Sequence, residues 1–192
     1  MAGKREAELK PFAEALGEVI SSMFDKKGGI KFSAKPSIER KDIIEWQGKM
    51  RIAGMEKFNE PTFISFVNYY LSEQDKQKKS VLGAVIIFVI EGQLVSILNK
   101  LGYPKVDDES ETEMKEGCGK LCQDIGEAFK AKIGAMGYAE PLMTIPENYR
   151  SNVPQGVSFN FKEYDKFELN FSLENKKVLV IEMTLGPIRR LR

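Results

Sequence analysis

The chain has 192 residues, of which 42% are hydrophobic and 30% charged, enough for one domain with a real core under a well-solvated surface. Its 29 Lys and Arg against 28 Asp and Glu leave a net charge of +1, which argues against nucleic acid or a membrane surface as the main partner. Histidine is absent, and that excludes histidine phosphotransfer, Ser-His-Asp and Cys-His hydrolysis and most zinc or non-haem iron sites within this chain.

Met1-Ala2-Gly3-Lys4-Arg5-Glu6 has no apolar stretch behind its charges, so no signal peptide is expected. From Ala7 to Phe24 the residues Phe12, Leu16, Val19, Ile20, Met23 and Phe24 recur at helical spacing, and Gly28-Gly29 end the pattern. Ile30 to Arg40 reads as extended, with Pro36 keeping it near an edge. Ile43 to Ala53 holds a strand around Trp46, Met50 and Ile52, and the lone Trp46 is expected in the core. Pro61 to Leu71 is a strand rich in Phe, Ile, Val and Tyr, followed by a polar turn at Gln74 to Lys79. Val81 to Ile90 is a β-branched run that suits a strand buried on both faces. Its ten residues are the longest apolar run, against about twenty for a membrane-spanning helix, and a cytoplasmic protein is expected.

Glu91 to Leu101 has the spacing of a short helix. The acidic connector Asp107 to Glu111 favours the start of a second long helix, Glu111 to Met136, with Met114, Cys118, Leu121, Cys122, Ile125, Phe129, Ile133 and Met136 as its core stripe. Cys118 and Cys122, one turn apart, are expected to be reduced, buried and metal-free. Extended segments follow near Leu142 to Ile145, Val157 to Phe161, Phe167 to Leu173 and Val178 to Leu185, with Glu174 to Lys177 turning between the last two. The order predicts a single α+β domain with a degenerate repeat of helix plus strands, in which Glu14-Ala15-Leu16-Gly17 is echoed by Glu116-Gly117-Cys118-Gly119.

Three stretches together resemble the CheC/CheX/FliY family of chemotaxis phosphatases, the single-site CheX branch above all. They are Pro11 to Phe24, Gly83 to Phe88 running into Leu94 to Gly102, and Glu116 to Phe129 followed by Gly137 and Leu142 to Pro146. The likeness covers essentially the whole chain, with extra residues at about 41–58. It implies two long helices side by side on a mainly antiparallel sheet. It also implies a substrate, the phosphorylated CheY-like receiver domain, which brings the magnesium ion itself, so no cofactor of the chain's own is expected. In the family a glutamate docks a receiver lysine, and an asparagine three residues later orients the water that attacks the aspartyl phosphate.

Glu116 stands at the glutamate position, but Gly119 replaces the asparagine, and no Asn occurs between Asn99 and Asn148. At 100° per residue Glu116, Lys120, Gln123 and Glu127 form one stripe opposite the apolar face, the expected binding surface. Glu116 and Lys120, four apart, are placed for a helical ion pair. Gln123 carries a carboxamide but lies seven residues from Glu116, about 10.5 Å along the axis against about 4.5 Å for the family spacing. The expectation is therefore a receiver-binding protein with weak or no phosphatase activity, in which Gly119→Asn raises activity. The alternatives are an active phosphatase using Glu116 and Gln123, or a non-catalytic module that self-associates; monomer and homodimer are both left open.

Overall fold

The computed structural model describes residues 2–159 and 165–191, with side chains described from residue 6. The first helix, α1, runs Ala2–Gly28, longer at both ends than the apolar periodicity. Then come β1 (Ser37–Asp42), β2 (Glu45–Trp46), β3 (Lys49–Ala53), the one-turn α2 (Met55–Phe58) and β4 (Thr62–Tyr70). The turn expected at Gln74 to Lys79 is largely a short helix, α3 (Glu73–Gln77), because the Ser72 hydroxyl accepts from the Asp75 N–H and caps it. β5 (Gly83–Ile90) leads directly into α4 (Glu91–Lys100), and α5 (Glu111–Ala135) is capped by Ser110, whose hydroxyl accepts from the Glu113 N–H. The remaining strands are β6 (Leu142–Met143), β7 (Glu147–Arg150), β8 (Asn152–Val157), β9 (Asp165–Leu173) and β10 (Lys176–Leu185). The segment expected at Val157 to Phe161 lies partly outside the described residues.

Seven strands form one sheet in the order β1-β9-β10-β5-β4-β6, with β7 also paired to β4, and every pairing is antiparallel. β6 and β7 divide one edge between them: β6 pairs with Tyr69 and Tyr70, β7 with Phe63 to Phe66. Pro146, which has no N–H to donate, falls in the break. Ion pairs at 3.2 Å between Lys27 and Asp124 and between Lys132 and Glu18 show that α1 and α5 lie side by side and antiparallel. Their apolar faces, with that of α4, close the main core against one face of the sheet: Leu16, Ile20, Cys118, Cys122 and Ile125 meet Val67, Val85, Ile87, Leu169 and Ile181.

The other face of the sheet is also covered. β2, β3 and β8 make a second, three-stranded sheet, and a smaller core of Met50, Ile52, Val153 and Val157 packs onto Ile64, Phe66, Ile86 and Phe88. That is why all of β4 and β5 is buried, and why β5 reads as continuous apolar sequence. Residues 41–58, the extra stretch, contribute β2, β3 and α2 to this layer. Trp46 does not reach the core and is 64% exposed. It sits at the hairpin turn Gln47-Gly48, both at positive φ, while Ile43, Met50 and Ile52 take the inward positions.

Candidate functional site

Ten residues of α5 face inward, among them Met114, Cys118, Leu121, Cys122, Ile125, Phe129 and Ile133. Burying that face fixes the rotation of the helix, and Glu116, Lys120, Gln123 and Glu127 are all exposed along the opposite side. Glu127 pairs with Lys130 at 3.5 Å. Glu116, Lys120 and Gln123 make no side-chain hydrogen bond or ion pair with another described residue, so the helical Glu116–Lys120 pair expected from their spacing does not form.

Two glycines bring other elements close to α5 on either side of Glu116. At Gly117 a Cβ would stand 2.5 Å from Leu98 Cδ1 and 3.3 Å from Val106 Cγ2, so the α4–α5 connector lies tight against the helix. Tyr103 to Val106 of that connector, with Glu113, Glu116, Gly117 and Lys120, line a recess of about 280 Å³. Tyr103 anchors the connector, donating its hydroxyl to Asp124 Oδ2 at 2.6 Å; burial and the Asp124 carboxylate push its phenol far up.

At Gly119 the neighbour is Asn148 of β7. A Cβ there would stand 2.6 Å from both Asn148 Nδ2 and Oδ1 and 2.9 Å from Cγ, so the Asn148 carboxamide lies over the glycine where a side chain would begin. Ser65, opposite Asn148 in the β4–β7 pairing, donates its hydroxyl to Asn148 Oδ1 at 2.6 Å. The amide nitrogen donates to no described residue and is not buried. Two residues on, Arg150 bonds both oxygens of Glu91 at 2.9 and 3.0 Å and Glu111 at 3.2 Å, which ties β7 to the starts of α4 and α5. The Lys115 hydrogen bond and then Arg150 hold the Glu111 carboxyl below its ordinary value.

Below this point Cys118 and Cys122 are free and fully buried. Burial pushes the Cys122 thiol up to about 12 and raises Cys118 well above its ordinary value. Among the described residues no cluster of three or more His, Cys, Asp or Glu could hold a metal ion, and no helix is long and apolar enough to cross a membrane.

The residues named from sequence thus lie on one face of one helix, but Glu116 and Gln123 remain seven positions apart. Asn148 was missed because nothing local marks it. Glu147-Asn148-Tyr149-Arg150 lacks an apolar alternation, and only the pairing with β4 brings it to α5. A side chain added at Gly119, as in Gly119→Asn, would meet the Asn148 carboxamide, which would have to give way.

The architecture is the α+β fold shared by CheX, CheC-like and FliY chemotaxis proteins. No protein-family model matches the sequence, and no curated protein matches it. Among solved structures, the chain is similar to the chemotaxis protein CheX from Vibrio vulnificus, at 13% identity over 90% of this chain and 97% of that one, with a TM-score of 0.56. It is similar to Thermotoga maritima FliY at 11% identity, 95% and 90% coverage and a TM-score of 0.57. It is also similar to a chain of the CheX–CheY–BeF3–Mg complex from Borrelia burgdorferi, at 17% identity, 93% and 97% coverage and a TM-score of 0.53.

Proposed function

We propose that this chain is a CheX-like protein of chemotaxis or two-component signalling that binds a phosphorylated CheY-like receiver domain through the exposed face of α5. One observation carries the reading: Glu116, Lys120 and Gln123 stand exposed on α5 without partners among the described residues, on a fold that a CheX solved together with CheY also has. Side chains already committed to ion pairs would have to break them in order to dock. These do not. Glu116 is the group for a receiver lysine, with Lys120 and Glu127 setting register along the helix. Any magnesium belongs to the receiver. α5 by itself carries no amide within one turn of Glu116, so the helix alone supplies docking without the positioning of water.

Titrating stand-alone receiver domains from the same organism, with and without beryllofluoride, tests this. The beryllofluoride form of at least one should bind more tightly, and Glu116→Ala should weaken that binding about tenfold, the effect of losing one charged contact at a partly desolvated interface. No binding to any receiver, or an affinity indifferent to Glu116, would overturn the proposal.

A second reading, a non-catalytic module that self-associates, is favoured by the exposure of Ile44, Trp46 and Met55 on the back layer. It requires a dimer in sedimentation equilibrium that Trp46→Ser disperses.

A further inference from the structure

We infer that Asn148, delivered from β7, is the catalytic carboxamide of this surface, oriented by Ser65, and that it gives the chain a hydrolytic activity toward receiver aspartyl phosphate. The inference rests on the docking reading above and adds the group that α5 lacks.

Position comes first. The Asn148 carboxamide covers Gly119, three residues beyond Glu116, or about 4.5 Å along the axis. A partner held by Glu116 therefore meets an amide one turn away, where Gln123 would stand about 10.5 Å off.

Orientation comes second. The Ser65 hydroxyl fixes Asn148 Oδ1, and the Arg150 links to Glu91 and Glu111 hold the strand that carries it. The amide nitrogen donates to no described residue, and the side chain is half-buried rather than enclosed. A free carboxamide beside an exposed carboxylate can hold a water in line with a phosphoryl group, the one task left when the partner brings its own magnesium. In the step, the water oxygen forms a new bond to phosphorus. The bond from phosphorus to the receiver aspartate breaks with its electron pair left on the carboxylate, and both water protons leave with inorganic phosphate.

The glycine itself comes third. The corresponding glycine of α1, Gly17, would place its Cβ 3.2 Å from Pro36 Cγ, which has no hydrogen-bonding group. Of the Glu-x-x-Gly stretches on the two long helices, only that of α5 meets a carboxamide.

The test measures phosphate release from a receiver domain phosphorylated by a small-molecule donor, alongside affinity for its beryllofluoride form. Wild type should accelerate release. Asn148→Asp keeps the shape and the Ser65 bond but loses the amide protons, and together with Asn148→Ala should cut the rate about a hundredfold while affinity changes less than about threefold. Ser65→Ala should lower the rate with affinity kept. Gly119→Asn alone should be inactive, because its side chain and Asn148 compete for one space, whereas Gly119→Asn with Asn148→Ala should recover activity. Tight binding with no wild-type hydrolysis, or hydrolysis unchanged in Asn148→Asp, would overturn this inference and leave the docking reading standing. Absence of binding would overturn both.

Discussion

A methyl group added at Gly119 would stand 2.6 Å from both terminal atoms of Asn148, so the glycine is what leaves room for that carboxamide against α5. Read along the chain, Gly119 is only an amide lost. Read in space, an amide from 29 positions further on fills its place, and no spacing rule could have found it. Cys118 and Cys122 were legible, because a small apolar residue at each turn of a helical stripe has one natural place, the core. Their chemistry follows. With Cys122 pushed up to about 12 and Cys118 held well above its ordinary value by burial, neither thiol is ionised at pH 8 in the folded chain. A thiol reagent at that pH should modify both only as fast as the domain opens, far more slowly than in urea; native labelling at the rate of free cysteine would contradict this burial.

Among the elements, α2 shows how the back layer is locked to the main sheet. Its Lys57 side chain, 16% exposed, bonds Glu168 of β9 and, at 2.6 Å, Glu182 of β10, which Lys166 also meets at 2.7 Å. Burial works against the Lys57 charge, yet Glu182 and Glu168 together outweigh it and hold the ammonium above its ordinary value. Burial likewise works against the Glu168 carboxylate, and Lys57, with Asn170 and Lys41, outweighs it and holds the group below its ordinary value. A lowered carboxyl contributes stability above its unfolded value, near pH 4, and that contribution is lost as pH falls through the folded value. A raised lysine contributes fully below about 10.4, and its contribution is lost as pH climbs through the higher folded value. Lys57→Met would strand the buried Glu168 carboxylate and should cost about 3–5 kcal/mol in urea unfolding at pH 7, shrinking toward pH 3 as that carboxyl takes up a proton. A loss under about 1 kcal/mol would show that the cluster does not hold the layer.

At the scale of the whole molecule the sheet is nearly symmetric about the β10–β5 pair: hairpin β9–β10 answers hairpin β4–β5, and β1 answers the edge shared by β6 and β7. The long helices follow the same plan, α1 over β9 and α5 over β4. Most of this was legible. Two long amphipathic helices fix a face each, and β5 announces burial on both sides with an unbroken apolar run. The second sheet was not, because Met50 pairs with Val157 across more than a hundred residues and the exposed side of β2 took the only tryptophan. The candidate stripe was legible because its four members share one helical face; its neighbour on β7 was not, because polar edge strands carry no period.

The central claim, that α5 is the docking face, can be tested without presuming any chemistry by backbone hydrogen–deuterium exchange of the chain with and without a beryllofluoride-loaded receiver. The account predicts added protection over the first two thirds of α5, from Glu111 to Glu127, with β7 beside it, and none over β2 and β3. Protection centred on the Trp46 hairpin, with α5 unchanged, would contradict it.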